Sequence, residues 1–333
     1  MADGMKISRE ALQAALGKRG PVWAPNDAGR WTAVQALPEL GTIRPRRPVK
    51  DLFTPPRREI ARWEAGAGPA EIEPAKPDET PGSVFGVRPC DARALLLLDR
   101  TFLQAPYVDP HYKARRDSLL LIGVACQPGP TCYCGVFGFG PDDKDAVDVM
   151  LTPQADGFVA QAGSARGQAF LATVEPGAAV PVAAPRPGPR PEWWTGLPDP
   201  KALYANFDHP IWRELGTSCM NCGVCTQYCP TCQCFTIDDE SFKGEIQRLR
   251  IVDNCQRSDF TRMAGGHNPR QIAASRLRQR VMHKFSYIPT QSPGLVGCTG
   301  CGRCVELCPL DRHLFADVFE IMKRINQEAE RVA

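Results

Sequence analysis

Residues 219–230 read Cys-Met-Asn-Cys-Gly-Val-Cys-Thr-Gln-Tyr-Cys-Pro, and residues 298–309 read Cys-Thr-Gly-Cys-Gly-Arg-Cys-Val-Glu-Leu-Cys-Pro. Both obey C-x2-C-x2-C-x3-C-P, the spacing that wraps a cubane 4Fe–4S cluster. Three thiolates on one tight loop take three irons, and the fourth, held just before its proline, reaches the other cluster. The expected ligation is therefore crossed: Cys219, Cys222, Cys225 and Cys308 on one cluster, and Cys298, Cys301, Cys304 and Cys229 on the other. Four thiolates also suit zinc, so a zinc-stabilised scaffold with no redox role is the competing reading. Zinc usually takes two C-x2-C pairs rather than two runs of four ending in proline.

The runs form an internal repeat, with 68 residues between Cys229 and Cys298. That gap is longer than in compact bacterial ferredoxins. It carries a helical pattern from Gln271 to Phe285, and Leu314–Arg331 reads as a terminal amphipathic helix through Leu314, Val318, Ile321 and Ile325. Residues 201–333 are thus expected to form a cluster domain that resembles the all-helical ferredoxin architecture. Before it, residues 176–200 are rich in Pro and Ala and read as a semi-rigid linker or surface wrap, with Trp193 and Trp194 anchoring its end.

Residues 1–175 read as an α/β domain. Met5–Gly17 is expected to be a helix capped by Ser8, and Pro45–Pro56 an extended basic connection. Ser83–Val87 and Leu119–Ala125 are continuous apolar runs of the kind buried in a parallel sheet, with a helix over Asp91–Leu103 between them. In that βαβ unit Cys90 follows the first strand and Cys126 the second, so both thiols fall at the sheet edge where ligands gather. Cys132 and Cys134 follow in a Gly/Pro-rich turn. Cys90, Cys126, Cys132 and Cys134 could together hold a third 4Fe–4S cluster. The alternatives are ordinary buried thiols or a zinc site. Cys232, Cys234 and Cys255 lack a fourth partner and read as packing residues beside a cluster.

Of the 333 residues fifteen are cysteine, the net charge is +3, and the first residues lack the apolar core of a signal peptide. A disulfide scaffold is thereby disfavoured, and the cysteines read as thiolate ligands in a reducing cytoplasm. Near-neutral charge does not point to nucleic acid, and no apolar run is long enough to span a bilayer. The segment Lys243–Lys284 is basic, either a solvated helix face or a charge set against clusters or an acidic partner. His267 and His283 are weighed as cluster-tuning or structural groups, as are Arg88, Asp91 and Arg93 around Cys90. There is no G-x-G-x-x-G or phosphate loop, and no catalytic constellation.

Phe85-Gly-Val-Arg-Pro-Cys-Asp-Ala-Arg-Ala-Leu, Tyr112-Lys-Ala-Arg-Arg, the Cys126–Cys134 turn, Cys229-Pro-Thr-Cys-Gln-Cys-Phe, Ala264-Gly-Gly-His-Asn-Pro-Arg, His283-Lys-Phe-Ser-Tyr and Gly300-Cys-Gly-Arg-Cys complete the pattern. Together they resemble the iron–sulfur β subunit of cytoplasmic NAD(P)-linked nickel–iron hydrogenases (sulfhydrogenases). The corresponding iron–sulfur component of anaerobic sulfite reductase is closely related to it. The resemblance covers residues 45–320. It implies a non-catalytic electron-transfer subunit between a flavin/NAD(P)H-binding subunit and a catalytic subunit pair, hydrogenase-like or another reductase.

Overall fold

The computed structural model describes residues 3–41, 44–66, 68–192, 194, 196–310, 318, 321, 323 and 324. The chain opens with strand β1 (Asp3–Ile7) and helix α1 (Arg9–Arg19). Ser8 caps that helix, its hydroxyl accepting the Ala11 N–H at 3.1 Å. The helix therefore starts later than the sequence suggested. Met5 and Ile7 alternate with polar neighbours and pair in a sheet, a period of two that overrides the helical reading.

Strands β2 (Val22–Pro25), β3 (Trp31–Val34), β4 (Arg57–Glu64), β5 (Glu73–Pro74) and β6 (Gly82–Val87) follow. The basic stretch from Pro45 to Pro56 is not simply extended, for Val49–Leu52 forms a 3-10 turn that buries Val49 and Lys50. Helices α2 (Pro89–Phe102) and α3 (Pro110–Ser118) lead into β7 (Leu119–Val124). β6 and β7 run parallel, Val84 opposite Leu121, as the βαβ pattern required. Every residue of both strands is buried, which is why their sequences lack alternation.

Next come β8 (Val149–Gln154), β9 (Gly157–Ala162), α4 (Ala165–Leu171) and β10 (Ala179–Pro181). They complete an eight-stranded mixed sheet in the order β10-β1-β9-β8-β7-β6-β2-β3. One face packs Leu12 and Leu16 of α1 on Phe85, Ile122 and Val124. The other packs Leu95, Leu98 and Phe102 of α2 on Val84, Leu119 and Leu121. The Pro/Ala-rich segment contributes only the edge strand β10, where proline is tolerated. Farther along it lies against the body, Gly135 N–H donating to the Pro189 carbonyl at 3.2 Å. Trp194 packs into the core of the C-terminal half; Trp193 lies outside the described residues.

That half contains α5 (Pro200–Ala205), α6 (Ile211–Thr217), α7 (Val224–Gln227), β11 (Phe235–Phe242), β12 (Glu245–Val252), α8 (Ala273–Met282), a π-helical turn (His283–Tyr287), α9 (Ile288–Gln291) and α10 (Arg303–Glu306). It is not all-helical. β11 and β12 form a hairpin, and β12 pairs with β4 to give a second sheet, β11-β12-β4-β5. The turn uses Lys243 and Gly244, both with left-handed φ (53° and 87°), as a two-residue hairpin loop demands. The exposed acidic strand β11 is held by its ladder to β12, and its acids face arginines: Asp239 pairs with Arg248 at 2.8 Å and Glu240 with Arg57 at 2.6 Å. Of the expected terminal helix, Val318 and Ile321 are helical and buried, whereas Leu314 and Ile325 lie outside the described residues. Among the described residues no helix is long and apolar enough to cross a membrane.

Candidate iron–sulfur site

The two cysteine runs adopt the same local conformation. In each, the glycine after the second cysteine, Gly223 or Gly302, has φ of 74° and caps a single helical turn, α7 or α10. Left-handed backbone there turns the loop tightly enough for three closely spaced thiols to face a common centre. A side chain would not fit at either glycine. A Cβ on Gly302 would lie 2.0 Å from the Thr131 carbonyl oxygen, and one on Gly223 2.3 Å from the Asn254 amide nitrogen.

Cys219, Cys222, Cys225 and Cys308 line one cavity of about 40 Å³, so the first three cysteines of one run meet the last of the other. Cys229, the last of the first run, sits with the second: the thiols of Cys298 and Cys301 each feel the charge of Cys229 and of Cys304. Cys90, Cys126, Cys132 and Cys134 line another cavity, of about 20 Å³, together with Arg44 and Cys301. Cys90, at the start of α2, and Cys126, just past β7, are brought there by the parallel pairing of β6 and β7. The turn holding Cys132 and Cys134 is pinned to the second run, Tyr133 N–H donating to Gly300 O at 2.7 Å.

The three sets form a row. Cys225 of the first set feels Cys304 of the second, and Cys90 of the third feels Cys301 of the second. Burial pushes the bare thiols up, Cys225 and Cys301 to about 11 and Cys134 to about 12. Such thiols lose their protons to a bound metal rather than to water.

The donor chemistry fits cubane clusters. Two of the sets line a cavity with four thiols each, the middle set lies beside both, and two buried guanidinium nitrogens, Arg44 Nε and Arg280 Nε, have no hydrogen-bond partner among the described residues.

Buried cations thread the row. Arg280 Nη2 donates to the Cys225 carbonyl at 2.8 Å and lies in the field of both Cys225 and Cys304. Lys284 Nζ donates to Cys229 Sγ at 3.3 Å. Arg303, between Cys301 and Cys90, makes a bidentate pair with Asp91, both contacts 2.7 Å. Arg44 Nη1 donates to Cys132 Sγ at 3.3 Å and also pairs with Glu306 at 2.5 Å.

The basic segment read from the sequence therefore divides. Arg276, Arg280 and Lys284, four residues apart on one helical face, are buried, while Arg248 and Arg257 make exposed pairs with Asp239 and Asp259. Arg88 is a structural latch on the end of β7, donating to Val124 O and Ala125 O at 3.0 Å each. Arg93 pairs with Asp143 and stacks on Phe139. His267 is exposed. Burial and the neighbouring Lys284 drive His283 down to about 4, leaving its ring neutral at pH 7.

Cys232 hydrogen-bonds to Cys229, and Cys234 to Cys255, whose thiol this bond lowers to about 6. Sequence reasoning singled out neither Arg44 nor Arg303. Arg303 occupies an x position inside the second C-x2-C run, and its partner Asp91 lies next to Cys90. That shared adjacency to candidate ligands was the only available signal.

Residues 218–312 match the 4Fe-4S dicluster domain family. Over 320 residues, covering 88% of this chain and 90% of the relative, the sequence is 29% identical to the sulfhydrogenase 2 subunit beta of Pyrococcus furiosus. The resemblance read from the motifs thus extends along nearly the whole chain. No solved structure matches it.

Proposed function

We propose that this chain is the iron–sulfur electron-transfer subunit of a cytoplasmic multi-subunit oxidoreductase. It carries three 4Fe–4S clusters in a row: one on Cys219, Cys222, Cys225 and Cys308, one on Cys298, Cys301, Cys304 and Cys229, and one on Cys90, Cys126, Cys132 and Cys134. The α/β half (1–175) contributes the third and the C-terminal half (201–333) the other two. A flavin/NAD(P)H-binding subunit and a nickel–iron hydrogenase module stand at the two ends. The observation that carries this reading is the convergence of twelve cysteines from four separate stretches into three adjoining sets. The relative's name, a hydrogenase β subunit, supports the assignment of its partners.

Bound clusters supply one-electron redox chemistry. The chain's residues hold them in line, exclude water from the centre and set the local charge through Arg280, Lys284, Arg303 and Arg44. The test is iron, acid-labile sulfide and zinc per chain on anaerobically isolated protein. About twelve iron and twelve sulfide, four of each per cubane, are expected, with absorbance that bleaches on reduction. About eight of each would remove the third cluster from the proposal, and zinc in place of iron would replace the wire by a scaffold.

A further inference from the structure

We propose that Lys284 sets the reduction potential of the middle cluster, the one assigned to Cys298, Cys301, Cys304 and Cys229, and so keeps it passable to electrons. The inference rests on the cluster assignment proposed above.

Reducing a cubane adds one negative charge, and burial penalises added charge. In the middle set Cys229 and Cys301 are each only 8% exposed and Cys298 and Cys304 are half-buried, whereas Cys222 of the first set is open to solvent. On burial alone, the middle position is harder to reduce than the first. A drop in potential from the first position to the middle one would hold electrons back at the first.

Lys284 is placed to offset that penalty. Its ammonium donates to Cys229 Sγ at 3.3 Å, Thr231 Oγ1 at 2.7 Å and Gly297 O at 2.7 Å. Three acceptors take its three protons, so the site is built for the charged form. Among the described residues no carboxylate pairs with it.

The other buried cations near the row differ: Lys50 donates to the Cys232 carbonyl at 2.7 Å rather than to a sulfur. Arg303 is matched by Asp91 and Arg44 by Glu306, while Arg280 is shared between the first and middle sets. Lys284 thus presents the unshared positive charge closest to a middle-set sulfur. The Thr231 hydroxyl lies 3.1 Å from Cys229 Sγ and 2.8 Å from the Gly297 carbonyl, so its single proton is divided between that oxygen and the sulfur, while its oxygen accepts from Lys284.

The test is an anaerobic redox titration of the complete iron-loaded chain, followed by EPR and visible absorbance, with Lys284→Gln, Lys284→Arg and Thr231→Val. Cys298→Ala identifies the middle wave as the one it abolishes. Lys284→Gln is expected to lower that wave's reduction equilibrium at least tenfold, or about 59 mV for a one-electron couple. The outer waves should move less, and Lys284→Arg should restore most of the shift. If Lys284→Gln fails to retain iron, Thr231→Val should lower the same wave by a smaller amount. An unmoved middle wave in a fully loaded variant overturns the role of Lys284, as does a shift confined to another wave. Failure of the three-cluster reading would show separately, as about eight iron in the unaltered chain.

Discussion

Asp91 and Arg303 join the two halves of the chain through a single fully buried pair. Arg303 also donates to the Pro45 carbonyl at 2.9 Å, so one guanidinium ties α10 to both α2 and the proline-rich connection. Removing one partner of a buried pair leaves a charge with no solvent and no counterion. Asp91→Leu should therefore cost roughly 3–5 kcal/mol of stability, seen as a lower thermal midpoint. The double variant Asp91→Leu/Arg303→Met should recover much of that loss, because well-packed apolar replacement of a whole pair is often near neutral. A double variant no better than the single would mean that Arg303 acts mainly on the neighbouring clusters rather than through Asp91. The crossed ligation makes a second single-residue prediction. Cys308→Ala should lower iron by about four per chain, and the cluster lost should be the one that Cys219→Ala also removes. Loss shared instead with Cys298→Ala would refute the crossing.

At the scale of elements, the cysteine loops depend on backbone handedness. Gly302→Ala forces a side chain into left-handed backbone and onto the Thr131 carbonyl, which must move for the loop to close. Strain of this kind costs on the order of 1–3 kcal/mol and falls on the loop that presents Cys301 and Cys304. Iron loss from the middle and third sets is expected, since Thr131 adjoins Cys132. Gly265→Ala, where a Cβ meets nothing within 4 Å, should leave iron content unchanged.

The parts of the fold legible in the sequence are those whose signal is local. The two runs, the buried strands β6 and β7 and the helix between them each announce themselves within a dozen residues. The hairpin β11–β12 did not. Asp238, Asp239 and Glu240 oppose strand propensity, and they sit in a strand because β11 pairs along its length with β12, which in turn pairs with the distant β4, with Arg248 and Arg57 facing the acids. Met5–Ile7 misled for the same reason, as its strand partners, β9 and β10, are remote. In the candidate site the cysteines were legible from spacing alone. Arg44, whose sequence neighbours carry no motif, could only be found in three dimensions.

Across the whole molecule, stability divides unevenly between the halves. The eight-stranded sheet carries apolar packing on both faces and does not depend on metal for its core. Around the first and middle sets, by contrast, the interior holds Arg280 and Lys284, each no more than 4% exposed. Their counter-charge is the sulfur of the clusters. When clusters are stripped, thiols such as Cys225 and Cys301, pushed by burial to about 11, take up protons at neutral pH, and the cations lose what balances them. Stripping iron with a chelator under oxidising conditions, then reducing the thiols, should therefore open the region from α6 to α10 before the large sheet. The hairpin would remain anchored longest in that half, since Arg250 of β12 pairs with Asp109 at 3.0 Å and stacks on Phe102 of the N-terminal half. Limited proteolysis should then cut first between the end of β12 and α10, leaving a resistant fragment that spans the N-terminal sheet. Far-UV circular dichroism should keep its strand signal while helical signal falls. Unchanged protease resistance after complete iron loss would mean that the buried cations find their balance within the protein, and simultaneous collapse of both halves would mean that the Asp91–Arg303 link makes the chain one cooperative unit.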